Sequence, residues 1–345
     1  MTSDSVNTAS DLEIHQAAQV LLEGGLVAFP TETVYGLGAD AESREAVERI
    51  YQAKGRPSNH PVIVHVAPEA DLSYWAASVP DEALALIDAF WPGPLTLILK
   101  RAAHISDVVS GGQDSVGLRC PSLPIAQRLI RAFAAGKPSG QGGIAGPSAN
   151  KFGQVSPTQA SHVRDEFPEL VAAGMLILEG GSSEVGIEST IIDLSRLSQG
   201  VGPVLLRPGY VTAQQISQIL ERPVAQPDAQ APRVSGALKS HYAPQTPIKL
   251  VNRAEIMSVA RQQLSHTTKK IVCVTHSIDQ VSHLQDERIE WVSMPTQPAA
   301  YGYALYATMR ALDQNHYAFM LWEDVPDTPE WLGIKDRLGR AAAAF

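Results

Sequence analysis

Cysteine occurs only twice in the 345-residue chain, at Cys120 and Cys273. Two thiols so far apart match no metal-ligand spacing and argue against a disulfide framework or a zinc site. Each is expected to be a small buried residue in a reducing compartment. Positive charge is also in short supply: 27 Lys and Arg against 36 Asp and Glu leave a net charge of −9. A protein that coats nucleic acid needs the opposite balance, although a local basic pocket is still allowed. No apolar run approaches a membrane span. The polar N-terminus from Met1 to Asp11 has no basic-then-apolar order of a secretory signal, so the cytosol is the expected compartment. The remaining composition is globular, 44% hydrophobic and 18% charged, and the length suggests two domains.

Residues 12–24 repeat at helical spacing, with Leu12, Ala18, Leu21 and Leu22 mostly on one face, and stop at Gly24-Gly25; residues 26–29 read as a short buried strand. Further helices are expected at 45–53, 80–90, 124–134, 158–166 and 212–220, and strands at 62–66, 95–100, 116–119, 175–179, 189–194 and 204–207. This alternation is too irregular for a regular doubly wound fold and predicts an α/β domain with a large twisted mixed sheet and flanking helices. Residues 221–232 carry prolines and alanines without a period and read as a linker. A dense polar-aromatic cluster follows, Ser240-His241-Tyr242-Ala243-Pro244. From Pro247 strands at 248–251, 270–275, 289–292 and 319–322 alternate with helices at 253–265, 299–313 and from about Ile334. That is a smaller Rossmann-like α/β domain without a Gly-x-Gly-x-x-Gly fingerprint. The expected layout is a domain over 12–220, a linker over 221–246 and a C-terminal domain over 247–345. The glycine-rich 136–143 reads as a flexible surface insertion and not a phosphate loop, because Lys137 precedes the glycines.

Several segments could carry chemistry, each beside a structural explanation. Thr31-Glu32-Thr33 precedes Gly36 and Gly38; its hydroxyls and N–H groups could hold a polar ligand that the glycines let approach, or it is a plain strand-to-helix loop. Lys54 and Arg56 stand at a helix end, as C-terminal caps or as an anion clamp. His65 closes an apolar strand, as a core residue or a ligand. Arg119 closes another and must find an anion or reach water. Gly146-Pro147-Ser148-Ala149-Asn150 puts a hydroxyl and an amide on a turn. Ser156 suits a helix N-cap. Gly186-Ile187-Glu188-Ser189-Thr190 starts a strand, and Arg207-Pro208-Gly209 ends one. Nearly all lie at strand termini or adjoining loops, where open α/β sheets hold ligands. Hydroxyl, amide, Arg, Lys and His, with no Ser-His-Asp order, paired carboxylates or metal cluster, suit phosphate electrostatics better than covalent catalysis.

The segments FPTETVYGLGADA, AKGRP with PVIVHV, FWPGPLTLIL, SVGLRCP, GPSAN, GIESTIIDL, LLRPGYVT and HYAP follow one another across residues 12–244. In that order they resemble the threonylcarbamoyl-AMP synthases of the YrdC type, in their long two-domain form. The C-terminal part is similar in length, position and α/β pattern. The resemblance implies a reaction of L-threonine, bicarbonate or CO2, and ATP, giving threonylcarbamoyl-adenylate and pyrophosphate. A partner transferase would then pass the group to tRNA. It implies that Thr33, His65, Arg119, Gly146 and Ser189 cradle threonine, with Arg119 on its carboxylate. Arg56, His60, Ser115, Ser148, Ser156 and Arg207 would contact ATP, and Lys54, Arg56, Ser148 and Asn150 would serve the phosphates at the reacting centre. Tyr242, with His241, would act from the linker as a lid, and Mg2+ would accompany the polyphosphate. His60 stands where the family often has Asn; a neutral imidazole can still hydrogen-bond phosphate or ribose.

Two other readings belong to different classes. An RNA-binding or ribosome-maturation factor would use a locally basic cavity, against the overall negative charge. A carbamoyl-phosphate-dependent transferase, like the similar modules of hydrogenase-maturation proteins, would sit in a much larger chain with cysteines that are absent here.

Overall fold

The computed structural model describes residues 9–276 and 286–345, so most of the N-terminal stretch read for a signal lies outside the described residues. The chain forms two compact units, residues 1–152 with 156–237, and residues 153–155 with 238–345. Among the described residues no helix is long and apolar enough to cross a membrane.

The first unit begins with α1 (Asp11–Leu22), started by a capping box in which Ser10 and Glu13 satisfy each other's backbone N–H groups. Its inner face is Ile14, Ala17, Ala18 and Leu21, set against Leu129, Ile130 and Phe133. Leu12, expected on that face, is exposed in the first turn. β1 (Val27–Phe29) then pairs antiparallel with β2 (Gly36–Asp40). Thr31–Thr33 therefore joins two strands, which corrects the expected strand-to-helix loop. Two glycines masked β2, since glycine disfavours strands. They are there for packing: a Cβ on Gly36 or Gly38 would come within 2.9 or 3.0 Å of the Phe29 ring.

α2 (Arg44–Lys54) ends on Gly55 in the left-handed region at φ 63°. β3 (Ile63–His65), α3 (Leu72–Trp75), α4 (Asp81–Phe90), β4 (Leu95–Lys100), β5 (Ser115–Arg119) and α5 (Pro124–Ala135) follow. Next come β6 (Ile144–Ala145), α6 (Ala160–Glu166), α7 (Pro168–Ala172), β7 (Leu176–Ile177), β8 (Thr190–Asp193), β9 (Val204–Arg207) and α8 (Ala213–Leu220). The strand expected at 175–179 shrinks to two residues, and α3, α7 and β6 were not anticipated. The strands form a mixed sheet in the order β7-β1-β2-β6-β3-β5-β4-β8-β9. One side carries the main core, with Leu37, Val64, Leu97, Val116 and Leu118.

Residues 136–143 are not simply a surface insertion. Lys137 pairs with Asp40 at 2.6 Å and Glu42 at 3.1 Å, and Gly142 and Gly143 are buried as they lead into β6. The expected linker is ordered too. Its Ala225 bridges Val204, Arg222 pairs with Glu82, Arg196 grips Asp228 at 2.9 and 3.1 Å, and Val234 packs on Ile98 and Ile191.

The second unit is a parallel sheet, order β10-β13-β11-β12, of β10 (Ile248–Val251), β11 (Ile271–Thr275), β12 (Ile289–Ser293) and β13 (Met320–Glu323). α9 (Ile256–Leu264), α10 (Pro298–Asp313) and α11 (Leu332–Ala342) accompany it, which matches the expected small Rossmann-like pattern. His241 and Tyr242, expected in the linker, are buried in this unit. The Tyr242 ring meets Tyr306 at 5.8 Å and lies 5.3 Å from the Arg337 guanidinium.

Candidate active site

Side chains alternate across a strand, so one face of β3, β5 and β4 carries Ile63 and His65; Ser115, Gly117 and Arg119; Thr96 and Ile98. Gly117 lies at its centre: a Cβ there would sit 3.1 Å from Ile98 Cδ1 and 3.6 Å from both Ile63 Cγ1 and Thr96 Cγ2. The middle of the face is thus a low apolar floor, and the polar groups surround it.

At one end His65 and Arg119 are partners in the parallel β3–β5 register. Arg119 is buried, and three contacts hold it: Nη2 donates to Glu32 Oε1 at 2.6 Å, Nη1 to Thr33 Oγ1 at 2.8 Å, and Nε to the Gly93 carbonyl at 3.3 Å. The anion demanded by a buried arginine is thus Glu32, whose other oxygen accepts the Ser122 N–H at 3.1 Å. Thr31 gives its proton to the Val34 carbonyl at 2.7 Å, so in the 2.8 Å contact between the two hydroxyls Thr33 is the donor. Burial first, and the Arg119 charge second, pull His65 down to about 3; it is a neutral imidazole at physiological pH. The Ile144 and Ile63 carbonyls offset part of that shift, yet Nδ1 is buried without a hydrogen bond of proper geometry. Phe29 stands edge-on to this ring at 5.6 Å. Gly146 keeps the space over it, since a Cβ there would lie 2.9 Å from His65 Nδ1.

Beside this group the Ser189 hydroxyl meets Thr96 Oγ1 at 2.7 Å. Arg207 donates to the Ser189 carbonyl from Nε at 3.0 Å and Nη2 at 2.9 Å, and to the Ser189 hydroxyl at 3.1 Å. Its Nη1 reaches the Ser235 carbonyl at 2.9 Å, while Ser235 Oγ accepts from Arg56 Nη2 at 3.4 Å. Ser235 therefore joins the two arginines expected to serve ATP.

Lys54 Nζ donates to the Ser148 carbonyl at 2.6 Å and to the Asn150 carbonyl. Burial, then the neighbouring Arg56 charge, pushes its pKa well below the ordinary lysine value, and Glu188 lies near enough to oppose this. Arg56 lies 5.7 Å from the Phe152 ring centre, and the His60 ring meets the same phenyl edge-on at 5.4 Å. Burial and the Arg56 charge lower the His60 pKa. Ser156 is no N-cap, because α6 starts at Ala160 behind Gln159; its buried hydroxyl donates to Glu188 Oε1 at 2.5 Å. Ser115 opens β5, at the opposite end of that strand from Arg119, and lines a polar cavity of about 220 Å³ with Gln113, Ser195, Arg196 and Gln230.

The first unit thus links Thr33, His65, Arg119 and Gly146 into one cluster, Ser189, Arg207 and Arg56 into a second, and Lys54, Ser148 and Asn150 into a third. Tyr242 belongs to the second unit. Sequence reasoning passed over Glu32, Thr96, Glu188 and Ser235. Glu32 and Glu188 lie inside motifs singled out for their hydroxyls; Thr96 looked like an ordinary strand residue and Ser235 like linker.

A family model described as telomere recombination, covering the Sua5, YciO and YrdC proteins, matches residues 19–209. A second, described as the threonylcarbamoyl-AMP synthase C-terminal domain, matches residues 211–343. This chain belongs to the threonylcarbamoyl-AMP synthase family. The family's Bacillus subtilis threonylcarbamoyl-AMP synthase is 36% identical over 347 residues, 99% of this chain and 95% of that one. The Pyrococcus abyssi synthase is 34% identical over 343 residues, 96% and 94% of the two chains. The crystal structure of P. abyssi Sua5 complexed with L-threonine superposes with a TM-score of 0.84 at 32% identity, over 96% of this chain and 95% of that one. The family also has shorter members: a Halorhodospira halophila synthase is 35% identical over 154 residues, 77% of its own length but 45% of this chain.

Proposed function

We propose that this chain is a nucleotidyltransferase that joins L-threonine, bicarbonate-derived CO2 and ATP into threonylcarbamoyl-adenylate with release of pyrophosphate. The product would go to a threonylcarbamoyl transferase acting on tRNA. One observation carries the reading: a family relationship along nearly the whole chain coincides with a single sheet face ringed by Arg119, His65, Ser189 and Arg207.

Threonine's carboxylate faces Arg119 and Thr33, with neutral His65 and Gly146 beside it and Ser189 across the face. The amine nitrogen, once deprotonated, bonds to the carbon of CO2 and loses a second proton, giving a carbamate. A carbamate oxygen then attacks the α-phosphorus and pyrophosphate leaves. Two anions meet in that step, and Lys54 and Arg56 screen them while Ser148 and Asn150 orient the phosphates. Loss of one such charged contact costs about 2–4 kcal/mol of transition-state stabilisation. Arg207, Ser115, Ser156 and His60 are assigned to the rest of the nucleotide. Among the described residues no group of three or more His, Cys, Asp or Glu could cage a metal. An Mg2+ carried by the polyphosphate, held mainly by phosphate oxygens and water, would neutralise its charge.

The test is pyrophosphate release from ATP, with threonine and bicarbonate omitted in turn. Release that needs both is expected; release without threonine, or none at all, defeats the reading.

A further inference from the structure

Resting on that reading, we propose that Glu32 is the positioning residue that aims Arg119 at the carboxylate of the amino-acid substrate. Glu32 is 3% exposed and Arg119 4%, and their contact at 2.6 Å is an ion pair withdrawn from water. Such a pair is costly to build and costlier to half-remove, because the survivor is a buried unpaired charge. An arginine has five N–H donors. Glu32, Thr33 and Gly93 take one each, which leaves one on each Nη for a substrate carboxylate. Among the described residues the Glu32 carboxylate hydrogen-bonds the Arg119 guanidinium and the Ser122 N–H through its two oxygens, so it acts through Arg119. The Glu32–Arg119 pair is neutral overall, as zwitterionic threonine is.

Only a carboxylate satisfies both neighbours. In Glu32→Gln one end of the side chain becomes an NH2 group, which must face either Arg119 or the Ser122 N–H, donor against donor. The full-length protein, wild type and E32Q, is titrated calorimetrically with L-threonine, with L-threonine methyl ester as a probe without the carboxylate, and with ATP. Loss of one charge-assisted hydrogen bond predicts threonine binding weaker by about tenfold to a hundredfold. Ester binding and ATP binding stay unchanged, and Glu32→Asp, which keeps the charge, recovers part of the loss. Equal weakening of threonine and its ester, or of threonine and ATP, overturns the proposal, as does wild-type protein that binds acid and ester alike. If E32Q fails to fold, E32D and the wild-type acid-to-ester preference still decide. Pyrophosphate release by the wild type judges the synthase reading separately.

Discussion

The Lys54 ammonium donates to the Ser148 carbonyl at 2.6 Å, so the last residue of α2 and the loop after β6 meet at one buried nitrogen. Burial and Arg56 lower the pKa of this group from the usual 10.5. A lowered lysine value means that the folded state holds fewer protons than the unfolded one between the two values. Its cost to stability falls as pH rises from the folded value toward 10.5. Polyphosphate at Lys54 reverses the shift by favouring the charged form. ATP binding is therefore expected to take up a proton, about one at most. Binding heats in buffers of different ionisation enthalpy measure it; Lys54→Met should abolish the uptake.

His65 gives a signature of the same sign at lower pH. Its folded value near 3, against 6.5 for the free side chain, gives a contribution to stability that is complete above pH 6.5 and lost as pH falls toward 3. By pH 5 the loss is about 2 kcal/mol. Urea melts at pH 7 and pH 5 should show that His65→Gln, whatever its stability at neutrality, weakens less on acidification than the wild type.

Gly146→Ala places a methyl group 2.9 Å from His65 Nδ1 and 3.0 Å from the Phe29 ring. It should raise the threonine KM by about tenfold or more while leaving the ATP KM within about twofold. Arg119→Ala should give the same split with a larger effect. Steady-state kinetics with each substrate varied in turn checks both, and equal changes in the two constants would place these residues elsewhere.

Two truncations test the 221–237 segment. A chain ending at residue 237 keeps Ser235 on Arg56 and Arg207 and Val234 on its apolar cluster. A chain ending at residue 220 strips both away. The shorter one should melt lower and have a higher ATP KM, because Arg207 loses a carbonyl acceptor in a buried setting. Thermal melts and ATP titrations compare them directly.

The parts of this fold that were legible in the sequence are those in which side chains alone set the pattern. β4 carries the apolar run Leu97-Ile98-Leu99, β5 alternates Val116 and Leu118 with Ser115, Gly117 and Arg119, and α5 opens with proline at its first turn. β2 was hidden because the Phe29 ring, far away in pattern terms, fills the place its glycines leave. The 221–237 segment has no period because side chains from elsewhere hold its backbone: Arg207 on the Ser235 carbonyl and Gln113 on both backbone groups of Arg233. Glu32 was overlooked for a related reason. Its partner lies 87 positions away, and only strand pairing brings the two together.

Gly117 gives the site a property that no polar residue could. Every donor around the face is attached to a strand end or a loop and reaches inward, while position 117 contributes nothing that protrudes. The room available to a substrate is therefore set by an omission at the middle of β5. Specificity could then drift by changes at the rim without rebuilding the sheet, whereas a single methyl group at 117 would shrink the space for every substrate at once.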